Sequence, residues 1–280
     1  MFDSEITSPE GAYVSDAIIL ASNGDYARNV IIKRQITLWD DYDNAITLEE
    51  YAANGKTLNT KISGRTFSKN DTWSTLCLPF DVDNLTGTPL DGATVMELNT
   101  SSRNGFDASS GILYLSFKTV SAIESGKSYI VKWTDGEDVV NPVFEDVTIL
   151  NNEPIAHTSE TFDLETVTMV GTYAPFDFEA NDQSIMLMGT GDNLFCPAED
   201  TTLNGFHAYF EIPSLQGVEN TAVKGYVIDF DGVFVGIEDV LNDNVLYPDG
   251  WYTITGIKLP KMPTERGIYI NNGRKVIISK

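Results

Sequence analysis

Short runs rich in Val, Ile, Thr and aromatic residues recur along nearly the whole chain, broken every few positions by Gly, Asn, Asp or Pro. The runs read as strands are "NVIIKRQITL", "KTLNTKIS", "WSTLCLPF", "ATVMEL", "ILYLSFKTV" and "SYIVKW" in the first half. "FEDVTIL", "TVTMVGTY", "SIMLM", "FHAYFEI" and "GYVIDFDGVFVGI" follow. Helical periodicity is scarce, and only "TLEEYAAN" and "IEDVLND" suit a turn or two of helix. Parallel strands need long crossovers, so so many short strands with so little helix predict antiparallel pairing. The expected fold is all-β: an antiparallel β-sandwich, immunoglobulin-like or jelly-roll-like, or two packed β domains.

At 280 residues the chain is long enough to bury a substantial core in either arrangement. Its 42% hydrophobic and 21% charged content excludes wholesale disorder. Softer boundaries at "NNEPIAHTSE" and "LNDNVLYPDG" divide it into 1–150, a β-sandwich domain, 151–240, a second β layer or domain, and 241–280, a tail packed on the body. The tail predicts its own hairpin. Asn272-Gly273 is the favoured type I′ pair, and a two-residue turn there sets Ile270 opposite Lys275 and Ile268 opposite Ile277. "SIMLMGTGDNLFCP" reads as a second tight connection; no GK[ST] follows its glycines, so it is not a phosphate loop.

Charge separates the tail from the rest. The formal net charge is −23, yet the segment from Lys258 onward carries about +5 and the remainder about −28. So acidic a body repels phosphate and anionic lipid, which makes nucleic acid and membrane surfaces poor partners. No run approaches the roughly 18 apolar residues of a membrane span. The opening "MFDSEITSPEGAYVSD" lacks a basic and an apolar region, so the expectation is either a cytoplasmic protein or one whose leader has been removed.

Several separated stretches carry a resemblance. "GRTFSKNDTWSTLCLPFDV", "GATVMEL", "SGKSYIVKW", "NPVFEDVTI" and "GFHAYFEI", in that order, resemble a recurrent β-rich module of secreted and surface proteins of gut and oral Bacteroidetes. "WYTITGIKLPKMPTERGIYINNGRKVIISK" looks like the usual end of the same proteins, and is more loosely similar to the C-terminal sorting domains of type IX secretion, although shorter than those. The resemblance covers about residues 30 to 280. It implies a secreted, cell-surface or outer-membrane-associated protein, with the periplasm as the alternative, and a tail serving export or surface retention. It offers no catalytic residue to carry over.

Tests for chemistry give little. His157 is expected in a loop and His207 in a strand, and neither HExxH nor HxH occurs. No GxSxG elbow is present. Cys77 and Cys196 lack CxxC spacing and read as buried free thiols, or as one long-range disulfide. "WDDYDNAITLEE" fails as an EF-hand, because Ala45, Ile46 and Ala52 stand where a ligand, the glycine and the bidentate Glu belong. Asp40, Asp41 and Asp43 then form a solvated acidic loop or a non-EF calcium site, and Glu199 and Asp200 have the same standing. Carboxylate pairs suited to a glycosidase arise by chance among 41 acids. "DTT" at Asp200–Thr202 resembles a Bacteroidetes O-glycosylation acceptor, a match that chance also supplies.

Four tryptophans raise sugar stacking: Trp73 and Trp133 lie in apolar strands and are expected in the core, while Trp39 and Trp251 adjoin acidic or turn residues and are the candidate carbohydrate platform. The expectation is therefore a non-enzymatic structural or adhesion module. It needs no catalytic residue, metal or cofactor, and its expected partners are cell-surface proteins or glycans. A carbohydrate-binding accessory protein is the alternative, and a glycan-active enzyme the third reading.

Overall fold

The computed structural model describes residues 35–160, 164–189, 193–215, 223, 225–231, 233–236, 251–253, 258–264, 267–271 and 274–278. These residues build an all-β, sandwich-like fold with a single α-helix among them. The largest sheet has seven strands. Its path runs from Val233–Gly236 through Gly225–Phe230, Ile112–Val120, Thr94–Leu98 and Ser128–Lys132 to Ser74–Cys77, with Gly105–Asp107 also pairing Ile112–Val120.

Period-two alternation gives this sheet two apolar faces. In Ser128–Lys132, Tyr129 and Val131 point into one core and Ile130 into another. The first core joins the sheet to a three-stranded sheet, Gln35–Trp39, Thr57–Ser63 and Val143–Thr148, through Leu38, Ile62 and Phe144. The second joins it to a five-stranded sheet, which contributes Met169, Met186 and Phe210 against Leu113, Leu115 and Phe117. At Gly171 a Cβ would overlap the Cys77 thiol, so only glycine lets the layers approach there. The large sheet is thus the middle of three layers. Trp73 stacks on Phe230 and Trp133 on Phe67, both inside, and the Trp133 indole donates to the Asp91 carbonyl at 3.0 Å.

Two pairings differ from the antiparallel expectation. Gln35–Trp39 runs parallel to Thr57–Ser63, and the helix Ala45–Asn54 supplies the crossover that such a pair requires. Gly225–Phe230 runs parallel to Ile112–Val120, a partner distant in sequence. The expected hairpins do form. Leu187 faces Phe195, and in the tail Ile270 faces Lys275 and Ile268 faces Ile277. The tail strands belong to a four-stranded sheet whose edge is Arg274–Ile278. Asn272-Gly273, "IEDVLND" and the boundary at 241–250 lie outside the described residues.

Among the described residues the buried charged side chains are Asp40, Arg65 and Glu97, and Arg65 Nε is left without a hydrogen-bond partner. Glu97, buried in the middle sheet, pairs with Lys118 at 2.8 Å and with Lys127. Burial pushes its carboxyl upward, but these two lysines outweigh that and hold it below the usual range. No helix of the described residues is long and apolar enough to cross a membrane.

Candidate functional site

The stretch Trp39–Ile46 carries three of the ten exposed large apolar side chains of the described residues. Within it Trp39 is 43% exposed, Tyr42 67% and Ile46 84%, and Asp41 and Asp43 are exposed beside them. Large aromatic and branched apolar side chains normally leave water, so a cluster of them held outward is a candidate contact surface.

Why these side chains stay outside follows from what anchors the loop. Ile36 and Leu38 point into the core, so alternation along Gln35–Trp39 turns Trp39 to the opposite face. Asn44 is buried and makes four hydrogen bonds. Its amide oxygen accepts the Trp39 backbone N–H at 2.9 Å, and its amide nitrogen donates to the carbonyls of Trp39 (2.8 Å), Tyr42 (2.9 Å) and Tyr173 (2.7 Å). The side chain thereby takes the place of a neighbouring strand at Trp39. Asp43 closes the loop by accepting the Ala45 N–H at 2.9 Å, which starts the helix in place of a side-chain cap from Asn44.

Asp40 is the second anchor. It is only 6% exposed, which corrects the view of it as a solvated acid: its carboxyl lies on Gly64, where a Cβ would overlap it. Its N–H donates to the Ser63 carbonyl at 3.0 Å and its own carbonyl accepts the Gly205 N–H at 2.6 Å. Burial raises its carboxyl above the ordinary value, against a hydrogen bond from Asn204 that lowers it.

Beneath the loop lies a polar cluster that no sequence motif signals. Buried Arg65 donates through Nη1 to His207 Nδ1 at 2.8 Å and through Nη2 to the Thr75 carbonyl at 2.6 Å and Ser74 Oγ at 3.2 Å. Arginine can only donate, so Nδ1 is the acceptor and the ring proton sits on Nε2. Burial lowers the guanidinium to about 10, with Asp40 opposing, and burial followed by the Arg65 charge holds His207 neutral, well below the ordinary histidine range. A Ser-His-Asp relay needs a carboxylate on Nδ1. Here a cation occupies that nitrogen, so this cluster cannot work as such a relay. It bolts strand ends of three sheets together.

The other sequence candidates disperse. Trp251 is half-buried in Trp251–Thr253, paired with Leu259 and Asn271, and it stands in a different sheet from Trp39. His157 lies in a two-residue strand opposite Met169 rather than in a loop, half-buried, with burial and then Lys127 lowering its pKa. Both thiols are free, Cys77 buried and raised to about 12 by that burial, Cys196 half-buried and also raised by burial. Among the described residues no group of three His, Cys, Asp or Glu could hold a metal ion, and Asp40 turns inward while Asp41 and Asp43 face out. No family model, curated protein or solved structure matches the chain.

Proposed function

We propose that this chain is a non-enzymatic structural or adhesion module of secreted or cell-surface character, and that it makes contact through the Trp39–Tyr42–Ile46 platform. The observation that carries this reading is that three exposed apolar side chains, on a strand end, the loop after it and the start of a helix, are held by two buried anchors, Asp40 and Asn44. Such a surface loses little conformational freedom on binding, and aromatic anchors of this kind dominate interface energetics. The extracellular setting is supported by the resemblance of the quoted motifs to exported Bacteroidetes modules.

Carbohydrate binding is the second reading, favoured by the exposed indole of Trp39, whose face can stack on a sugar ring. The two are separated by screening the purified chain on a glycan array and on immobilised cell-surface proteins, with calcium and again with chelator. Trp39→Ala should weaken whichever binding is found by about tenfold or more, equivalent to about 1.4 kcal/mol, without changing the melting temperature. A protein ligand supports adhesion and a glycan supports the accessory role. Binding indifferent to both Trp39→Ala and Tyr42→Ala overturns the platform.

A further inference from the structure

We infer that the partner of this platform is a second copy of the chain, which docks its basic 258–278 unit head to tail. This rests on the reading of Trp39–Ile46 as a contact surface. Among the described residues, the basic unit included, none buries Trp39, Tyr42 or Ile46.

The two surfaces match in charge and in chemistry. Around the platform Asp41, Asp43 and Glu49 are exposed, and no basic residue occurs from Asp40 to Gly55. The basic unit holds Lys258, Lys261, Arg266, Arg274 and Lys275 against a single acid, Glu265. On its surface, in the connection between Lys258–Leu259 and Gly267–Asn271, Lys261 is exposed beside Met262, which is itself 57% exposed. An ammonium on an aromatic face and a thioether against a ring edge are both favourable contacts. Neighbouring carboxylates add attraction that salt screens. Lys261–Met262 is a knob of the chemistry that Trp39 and Tyr42, flanked by Asp41 and Asp43, receive.

Both surfaces also border sheet edges. Gln35–Trp39 ends the three-stranded sheet, and Lys258–Leu259, which leads into Lys261–Met262, ends the tail sheet. Two different patches of one chain make a heterologous contact, which repeats from copy to copy instead of closing as a two-fold dimer. A structural module with an acidic body and a basic end is suited to such a row. The contact is small, so it forms by mass action at high concentration and low salt.

Sedimentation of the full chain over a range of concentrations, in low and high salt, tests this with two variants. One carries Asp41→Lys and Tyr42→Ala on the platform, the other Lys261→Glu and Met262→Ala on the knob; all four positions are exposed, and melting curves confirm folding. The wild type should at least double its weight-average mass with concentration in low salt and lose that association in high salt. Each variant alone should remain monomeric, while an equal mixture should form pairs and nothing larger, because one intact knob meets one intact platform. A wild type monomeric throughout, association surviving in both variants, or a mixture that stays monomeric overturns head-to-tail docking. If the wild type is monomeric while Trp39→Ala still abolishes glycan or protein binding, docking falls and the platform stands. If neither assay responds to the platform changes, both fall.

Discussion

Asn44 shows how one side chain can set the direction of others. Its amide satisfies both backbone groups of Trp39 and reaches Tyr173 across the layers. Asn44→Ala would leave those groups without protein partners, the Tyr173 carbonyl among them in a buried setting, at a loss of about 2–4 kcal/mol. Thermal melts should therefore show a clear drop for Asn44→Ala and almost none for exposed Trp39→Ala. Equal melting temperatures for Asn44→Ala and wild type would sink the anchoring argument. None of this was legible in the sequence. "WDDYDN" reads as a run of solvated or metal-binding polar residues, because an acid or amide is buried only when partners meet it. The partners here, Tyr173, Asn204 and Gly205, lie far along the chain. Three of the four tryptophans were legible, since an apolar setting for Trp73 and Trp133 and an acidic one for Trp39 already separate core from surface, whereas Trp251, read from its turn neighbours as outward, is half-buried in a strand.

Among the elements, the helix Ala45–Asn54 carries the clearest lesson about what holds local structure here. Its first turn has no acid and its last no base, and its N-cap side chain is engaged elsewhere; only Gly55, left-handed and donating to the Tyr51 carbonyl at 3.2 Å, closes its end. A ten-residue helix of this kind is marginal alone, so it persists by tertiary packing. That packing is chiefly Leu48, fully buried, with Tyr51 and Ala52 partly covered. Leu48→Ala should cost about 2–5 kcal/mol, and hydrogen exchange should rise first in Ala45–Asn54. Uniform exchange across the three-stranded sheet would mean instead that helix and sheet open as one unit. "TLEEYAAN" gave away the helix, but not that it serves as a crossover, which is why the parallel pair Gln35–Trp39 and Thr57–Ser63 went unforeseen. Tight hairpins are different. Asn-Gly fixes register within a few residues, and the pairing of Ile270 with Lys275 follows from the sequence alone. Pairing of Gly225–Phe230 with Ile112–Val120 depends on no local signal.

For the molecule as a whole, charge and layering meet in its response to acid. His207 sits half-buried where the three layers meet and is held neutral beside Arg65. Its folded pKa is depressed, so as pH falls below about 6.5 the unfolded chain binds a proton that the folded chain refuses, and stability declines. His157, shifted in the same direction, adds to the decline. Ordinary carboxylate values lie lower, near about 4, so the two histidines are the groups whose ordinary value falls near the top of the range from about pH 6.5 to about 5. The two shifted carboxylates add effects of opposite sign. Asp40, raised when folded, gains a proton first in the folded state and stabilises it on acidification. Glu97, lowered when folded, supports the fold until pH falls through its folded value. Between about pH 6.5 and 5, then, histidine sets the slope, which for His207 tends toward about 1.4 kcal/mol per pH unit. Chemical unfolding across that range should show the decline, and His207→Asn should remove most of it, because an amide oxygen can still accept from Arg65 but does not titrate. Stability that stays flat or rises from pH 6.5 to about 5 in the wild type would mean that the cluster opens to water and His207 titrates as it would in the unfolded chain.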